Sequence, residues 1–167
     1  MMKIGLISDT HNYLDPQIVD YFADCDEIWH AGDFGNITIA NQLEEVAPLV
    51  GVYGNIDGKD IRSKYPLHQR FMCEGVDVWM THIGGIPGRY CLPICQEMEN
   101  NTPELFICGH SHILKVARDQ KKDKMLYMNP GAAGRYGFQT ERTIMRFSIN
   151  SGKIENVEVI NLGSRAK

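Results

Sequence analysis

The chain has 167 residues, of which 43% are hydrophobic, and its formal net charge is −4. This length and apolar content suit one domain, and we expect residues 1–167 to form it. The acidic balance argues against long nucleic acid as a partner. No apolar run approaches the roughly 20 residues that span a bilayer. Met1-Met2-Lys3 leads into a strand rather than a signal peptide, so the sequence predicts a cytoplasmic protein without a membrane partner.

The first third of the chain alternates predicted strands with predicted helices. An apolar run after Lys3 predicts a buried strand, and further strands are expected over Glu27–His30 and Leu49–Tyr53. Between the first two strands we expect a helix from Asp15-Pro16 to about Cys25, with Ile18, Val19 and Phe22 on one face. Between the second and third we expect a helix from Ile37 to about Val46 that is capped by Asn36 and buries Ile39, Leu43 and Val46. This order implies right-handed crossovers between parallel strands.

The rest of the chain contains more predicted strands than helices. We expect a hairpin of His68–Cys73 and Val76–Thr81 that turns at Glu74-Gly75, followed by a helix over Leu92–Asn100 and a strand over Glu104–Cys108. The segments Ile113–Arg118 and Met125–Met128 flank a polar turn. A final strand pair is expected over Thr143–Ile149 and Ile154–Ile160. The tail Leu162–Lys167 is expected to be frayed.

Five of the apolar runs end on side chains that can bind a divalent metal. In chain order these are Asp9, His11, Asp33, Asn55, His82, His110 and His112. Singly, each histidine is more commonly a core or loop residue and Asn55 a turn residue. However, the carboxyl ends of strands form the crevice in which α/β sheets bind ligands, and Gly32, Gly54, Gly84 and Gly109 suit loops that turn sharply. The series therefore favours ligation of a metal.

The number and charge of these side chains indicate what the site does. Seven ligands are too many for one structural zinc ion, which takes four. They suit two ions that share a bridging carboxylate. Only Asp9 and Asp33 are acidic, so two divalent ions would leave the cluster positively charged even with a bridging hydroxide. Such a site favours an anionic substrate, and paired ions can clamp a phosphoryl group while lowering the pKa of a bound water.

The ordered series Asp9-x-His11, Gly32-Asp33, Gly54-Asn55, His82 and Gly109-His110-Ser111-His112 resembles the calcineurin-like metallophosphoesterase superfamily. It is most similar to the small single-domain bacterial and archaeal phosphodiesterase branch, which includes a relative of the retromer subunit. The resemblance extends from Met2 to about Ile160, and the run Asn129–Ala132 is also similar to this branch. It implies an α/β fold, a four-layer α/β/β/α sandwich of two mixed sheets flanked by helices, with the metals at the sheet ends.

The resemblance also implies a division of the ligands between two ions. Asp9, His11 and His112 would hold the first ion, Asn55, His82 and His110 the second, and Asp33 would bridge them. Ligation by nitrogen and oxygen alone is compatible with Mn, Fe, Zn or Ni, and the family resemblance favours manganese. A homodimer is a further expectation from the family.

One position departs from the wider superfamily pattern. Many members carry a histidine directly after the ligand asparagine, and it helps to protonate the leaving group. This chain has Ile56 there, which cannot donate a proton, although the branch it most resembles also tends to lack that histidine. General acid catalysis typically contributes about 10²–10⁴-fold, so we expect weak activity on poor leaving groups. Asp57 is interpreted either as an acceptor behind a ligand histidine or as a turn residue.

We therefore predict a dinuclear metal-dependent phosphoesterase, most simply a phosphodiesterase, in which a hydroxide bridging the ions attacks a small phosphodiester in line. The alternative is a non-catalytic protein-interaction module on the same fold, as in the retromer relative. Loss of ligand residues would mark that alternative, whereas this chain retains the whole set. A nuclease is disfavoured because the chain is acidic and lacks a Lys/Arg stripe.

Several other residues are expected to have structural rather than catalytic roles. His30 is expected to pack or hydrogen-bond behind the ligands, and His68 to lie on the surface. Trp29 and Trp79 are expected in the core, as are reduced Cys25, Cys73 and Cys108. Cys91 and Cys95 form the only close cysteine pair, and no second pair of ligands supports a zinc site there. Arg89, Arg135 and Arg142 could contact a phosphate, but solvated arginines are commoner.

Overall fold

The computed structural model describes residues 1–166. It contains twelve strands and four helices. The strands are β1 (Met2–Ile7), β2 (Glu27–His30), β3 (Leu49–Gly51), β4 (His68–Cys73), β5 (Val76–Thr81), β6 (Gly85–Ile86), β7 (Arg89–Tyr90), β8 (Leu105–Ile107), β9 (Lys115–Asp119), β10 (Met125–Asn129), β11 (Glu141–Asn150) and β12 (Lys153–Ser164). The helices are α1 (Gln17–Phe22), α2 (Ile37–Glu44), α3 (Lys59–Lys64) and α4 (Leu92–Asn100).

Two five-stranded mixed sheets form the centre of the fold. The first has the order β12-β11-β1-β2-β3, in which β1, β2 and β3 are parallel and β11 and β12 are antiparallel to their neighbours. The second has the order β4-β5-β8-β10-β9, with a parallel centre of β5, β8 and β10. The predicted crossovers between parallel strands are therefore confirmed, as is the hairpin of β4 and β5.

The buried side chains separate into three apolar clusters that define four layers. The cluster between the sheets includes Leu6 and Trp29 from one sheet and Met80 and Ile107 from the other. A second cluster packs α1, α2 and α3 on the outer face of the first sheet, and a third packs α4 on the outer face of the second sheet. Side chains of a strand alternate between its two faces, so Leu6 faces the other sheet while Ile7 faces the helices. The expected α/β/β/α sandwich is confirmed.

The helices differ in detail from the predicted ones. Helix α1 is shorter than expected, and Val19 does not share the buried face because 44% of its surface is exposed. The Asn36 side chain accepts a hydrogen bond from the backbone N–H of Ile39, so its capping role is confirmed. Helix α2 ends at Glu44, and Val46 is only partly buried beyond it. Helix α3 was not predicted, because Ile61 is its only buried side chain.

The expectation of a frayed tail was wrong for the residues that the structure describes. Strand β12 continues to Ser164, and Leu162 is only 5% exposed. The backbone N–H of Arg165 then donates to the Thr140 carbonyl. The tail is ordered because it pairs with β11; Lys167 lies outside the described residues. No helix within residues 1–166 has the length and apolar content needed to cross a membrane.

Candidate metal centre

The seven predicted ligands come together where the two sheets meet at the ends of their parallel strands. Backbone hydrogen bonds join the loops that carry them: the N–H of Asp9 donates to the Gly32 carbonyl at 3.0 Å, and that of Gly109 to the His82 carbonyl at 3.1 Å. Glycine is required where these loops touch. A Cβ atom on Gly54 would overlap the Asp33 carboxylate, and one on Gly109 would overlap the Ser8 hydroxyl.

A first group of possible ligands consists of Asp9, His11 and His112. Asp9 is fully buried, and its Oδ2 atom accepts hydrogen bonds from the Ser8 hydroxyl at 2.6 Å and the His110 backbone N–H at 3.1 Å. The other oxygen, Oδ1, therefore faces the group, 3.1 Å from His112 Nε2 and 3.7 Å from His11 Nε2.

A second group consists of Asp33, His82 and His110. Asn55 belongs with it, because its Oδ1 atom lies 3.1 Å from His82 Nε2 and 3.0 Å from His110 Nδ1. His82 is buried, whereas Asn55 and His110 are exposed. The second group is therefore the side from which a solute can approach.

Asp33 connects the two groups. One of its oxygens, Oδ1, accepts a hydrogen bond from the backbone N–H of Ile56 at 3.0 Å. The other, Oδ2, lies 3.4 Å from His11 Nε2 of the first group and 3.2 Å from His82 Nε2 of the second. A single carboxylate oxygen is thus positioned between the two sets of donors.

The arrangement of the donor atoms suits coordination of metal ions better than hydrogen bonding among the donors themselves. Asp9 Oδ1 and His11 Nε2 are buried and have no hydrogen-bond partner within residues 1–166, a costly state for polar atoms. Ligands that bind an ion at about 2.0–2.2 Å are separated from one another by about 3 Å or slightly more. The separations of 3.1, 3.2 and 3.4 Å in the two groups are of this size.

The electrostatics of the cluster favour cations. Burial opposes the charged form of Asp9, but the neighbouring His11 and His112 imidazoles outweigh it and hold the pKa of Asp9 below its usual range. Burial likewise opposes the charged forms of His82 and His112, yet Asp33 and Asp9 respectively raise the pKa values of these imidazoles. Protons are thus attracted to the same positions that metal cations would take.

Two of the histidines are oriented by acceptors behind them. His112 Nδ1 lies 2.8 Å from Gln139 Oε1, and Gln139 Nε2 donates to the carbonyls of Gly134 and Tyr136. His82 Nδ1 lies 2.7 Å from the Ala31 carbonyl oxygen. Because these oxygens only accept, each Nδ1 donates, and each Nε2 lone pair faces the carboxylates. Such backing acceptors are typical of metal-binding histidines. No motif or periodic pattern in the sequence identifies Gln139.

Asp57 stabilises two ligand-bearing loops. Its carboxylate accepts backbone hydrogen bonds from Asp33 at 3.0 Å, Gly54 at 2.7 Å and Gly35 at 2.9 Å. Burial raises the pKa of Asp57, and the backbone hydrogen bonds from Gly54 and Gly35 oppose that effect. The turn interpretation of Asp57 is therefore the better of the two alternatives, and no ligand histidine contacts its side chain within the described part of the chain.

His30 lies behind the ligand loops, as expected. Its Nδ1 atom accepts a hydrogen bond from the Gly32 backbone N–H at 3.1 Å, so the proton of the neutral ring is on Nε2, 3.1 Å from the Thr10 hydroxyl. The hydroxyl in turn donates to the Phe34 carbonyl at 2.9 Å. Burial lowers the pKa of His30 to about 3. His30 is thus a neutral residue that connects the Thr10 and Gly32 loops.

The three arginines that could contact a phosphate have different environments. Arg142 is buried and pairs with Asp15 at 2.6 Å, so it is neither solvated nor free to bind a phosphate. Arg135 stacks over the Tyr13 ring at 4.1 Å, and Arg89 is exposed on β7. A further arginine, Arg62, contacts a ligand-bearing loop and donates to the Asn55 and Asp57 carbonyls.

The remaining predicted residues lie where expected. His68 is exposed, and Trp29 and Trp79 are buried. All five cysteines are free thiols, with Cys25, Cys73 and Cys108 buried. Cys91 and Cys95 belong to neither group of possible metal ligands found within residues 1–166.

Comparison with known proteins identifies the family to which the chain belongs. Residues 2–152 match the calcineurin-like phosphoesterase superfamily domain. A probable metallophosphoesterase of Methanothermobacter thermautotrophicus is 27% identical over 98% of this chain and 94% of its own length. A phosphodiesterase of Methanocaldococcus jannaschii is 28% identical over 78% of this chain and 83% of its own.

The fold is also that of a solved structure with low sequence identity. The crystal structure of Vps29 from Chaetomium thermophilum superposes with a TM-score of 0.76 at 14% identity, covering 98% of this chain and 99% of that one. At this identity the similarity concerns the fold alone.

Proposed function

Because the chain belongs to the calcineurin-like phosphoesterase superfamily, we propose that it is a dinuclear metal-dependent phosphodiesterase acting on a small phosphodiester. The family assignment and the metallophosphoesterase relatives support a metal-dependent hydrolase of phosphate esters. The similarity to a named phosphodiesterase favours a diester over a monoester as the substrate.

The observation that carries the proposal is the position of Asp33 between two sets of donors. Asp9, His11 and His112 would hold one ion, Asn55, His82 and His110 the other, and Asp33 Oδ2, which is close to both histidine sets, would bridge them. The donors are nitrogen and oxygen only, which suits Mn, Fe, Zn or Ni, and we propose Mn. When bound, such ions polarise a phosphoryl group and activate water.

The residues of the chain would hold and orient the reacting groups. The exposed pair of Asn55 and His110 borders the solvent-facing side of the second group, where a phosphoryl oxygen would approach. Ile56 is 44% exposed beside them and offers no proton. We therefore expect the rate to depend steeply on how good the leaving group is, because no side chain at this position protonates it.

The test is an assay of the purified protein with Mn²⁺ on an activated aryl phosphodiester and the matching monoester. We expect hydrolysis that is lost on chelation and favours the diester. Two bound metal ions without turnover of either ester would overturn the proposal.

The alternative is a non-catalytic interaction module. Its support is the similarity to Vps29 in fold and the exposed apolar side chains beside the first group, with Tyr136 69% exposed and Phe138 fully exposed. The same assay discriminates, since this alternative predicts metal binding without turnover. A homodimer and a cytoplasmic location stay predictions.

A further inference from the structure

A pocket of about 490 Å³ opens beside the second ligand group. Asn55 and His82 form part of its wall, so the pocket is continuous with the candidate metal centre. Its volume is within the range of about 300–1,000 Å³ that small-molecule sites occupy. None of its lining residues belongs to the first ligand group.

The wall away from the ligands is mainly apolar and comes from separate parts of the chain. Leu67 precedes β4, Ile83 follows β5, and Pro93 and Ile94 belong to the first turn of α4. Ile94 is only 3% exposed because it packs in the cluster beneath α4, whereas Leu67 is 47% exposed. A firm apolar wall with an open side suits the apolar part of a ligand.

Arg62 supplies a positive charge to the same pocket. Its guanidinium lies over the Tyr53 ring at 4.5 Å, and two of its nitrogens donate to the Asp57 and Asn55 carbonyls at 2.6 and 3.3 Å. Among residues 1–166, only Nε and Nη2 of Arg62 donate hydrogen bonds, so Nη1 has no partner there. A guanidinium that is fixed by two hydrogen bonds and retains free N–H donors can bind an anionic oxygen.

We propose that this pocket binds an aromatic ester group of the substrate, with Arg62 contacting the phosphodiester anion that the group carries. The inference rests on the proposed function, because the metal centre at one end of the pocket would hold the phosphoryl group. A ring covers the apolar wall at a smaller loss of rotational freedom than an alkyl chain of equal area. The substrate class is therefore a phosphodiester with an aromatic substituent.

The test is a binding measurement on the Mn²⁺-free protein reconstituted with a diamagnetic ion, Zn²⁺, using two phosphodiesters that differ only in their substituents. Diphenyl phosphate and dimethyl phosphate are titrated while the methyl resonances of Ile83 and Ile94 are followed by nuclear magnetic resonance. We expect saturable shifts at both methyl groups and affinity at least about tenfold higher for the diphenyl ester, as burial of an aromatic ring provides.

A matched pair of variants locates the effect. Leu67→Trp places a bulky side chain in the pocket and should reduce the affinity ratio of the two esters to about twofold or less. Val157→Trp introduces the same side chain at a 42% exposed position on edge strand β12 and should keep the wild-type ratio. Equal affinity for the two esters in the wild type, or an unchanged ratio in Leu67→Trp, would overturn the pocket assignment.

The failure of this inference can be told apart from failure of the proposed function. If diphenyl phosphate binds at Ile83 and Ile94 but no phosphodiester is hydrolysed, the pocket assignment holds and the enzymatic proposal fails. If phosphodiesters are hydrolysed but the two esters bind equally well, the reverse is true.

Discussion

At the residue scale, the candidate ligands occupy unusual backbone conformations. Asp9, His11, Asp33, His110 and His112 all have φ between 44° and 67°, in the left-handed region that costs residues other than glycine about 1–2 kcal/mol each. Aspartate and histidine tolerate this region better than most residues, but glycine would tolerate it best. Strain of this kind collects at functional sites because the side chain is needed there.

This strain predicts that glycine is more stabilising than alanine at exposed position His110, the opposite of their order in a helix. In the metal-free protein, His110→Gly should be more stable than His110→Ala by about 1 kcal/mol, since alanine retains the strain and glycine does not. The measurement is urea unfolding of both variants.

The control for that comparison is Glu99, an exposed residue within helix α4. There the order should reverse, and Glu99→Gly should be less stable than Glu99→Ala by about 1 kcal/mol. If alanine is also the more stable residue at position 110, the left-handed conformation of His110 is not a source of strain.

The ligand series was predictable at this scale, but the residues behind it were not. Asp9, Asp33, His82 and the two later histidines each follow an apolar run, so strand ends predict their meeting. Gln139 contacts His112 from a loop that has no periodic pattern. Its role depends on a tertiary contact, for which one sequence holds no signal.

At the scale of secondary-structure elements, one buried ion pair connects the start of α1 to β11 and β12. Arg142 on β11 donates to Asp15 at 2.6 Å and to the Leu162 carbonyl at 2.8 Å, and both side chains of the pair are nearly inaccessible. Burial opposes the ionised form of Asp15, but the hydrogen bonds from Arg142 and Gln17 and the charge of Arg142 together outweigh it and lower the pKa of Asp15 from 3.8. Asp15 therefore stabilises the fold in its charged form.

We predict that Asp15→Asn lowers the free energy of unfolding at pH 7 by about 3 kcal/mol, because Arg142 is left buried without its counter-charge. The pKa of Asp15 is depressed by folding, so its contribution is present above pH 3.8 and is lost as pH falls through the folded value. The difference between wild type and variant should consequently shrink below about pH 4.

The control is Asp24→Asn, which removes a carboxylate paired with Lys3 and Arg146 at the exposed surface. Its effect on the free energy of unfolding should stay below about 1 kcal/mol. Equal destabilisation by the two variants would contradict the importance assigned to burial of the Asp15–Arg142 pair.

The sequence predicted long and strongly patterned elements better than short ones. The β4–β5 hairpin has the predicted bounds because two strand-forming runs flank a turn at Glu74-Gly75, where both residues have positive φ. Helix α3 and strands β6 and β7 have at most six residues each, too few to show a period. The end of β12 was missed because the burial of Leu162 depends on tertiary packing in the cluster beneath α1, α2 and α3 and on pairing of β12 with β11.

At the scale of the whole molecule, the cluster between the sheets draws on both halves of the chain. Leu6 and Trp29 pack there with Met80, Ile107 and Phe147. Neither sheet can bury its inner face without the other, so we predict that the protein unfolds in one cooperative transition. This is also the test of the single domain expected over residues 1–167.

Calorimetry of the metal-free protein should show one transition with equal calorimetric and van't Hoff enthalpies. Mn²⁺ at 100 times its dissociation constant should raise the melting temperature by roughly 5–10 °C per site, because about 2.7 kcal/mol of binding energy is added to a chain of this size. Two separate transitions would contradict a single domain.

We propose that seven side chains hold two metal ions that share Asp33. The most direct measurement of this arrangement is the number of Mn²⁺ ions bound per chain at saturation. We predict about two for the wild type, about one for His82→Ala, which removes a donor of the second group, and about two for His68→Ala, which removes an exposed histidine outside both groups. A wild-type protein that saturates with one ion or none, or a His82→Ala variant that retains two, would contradict it.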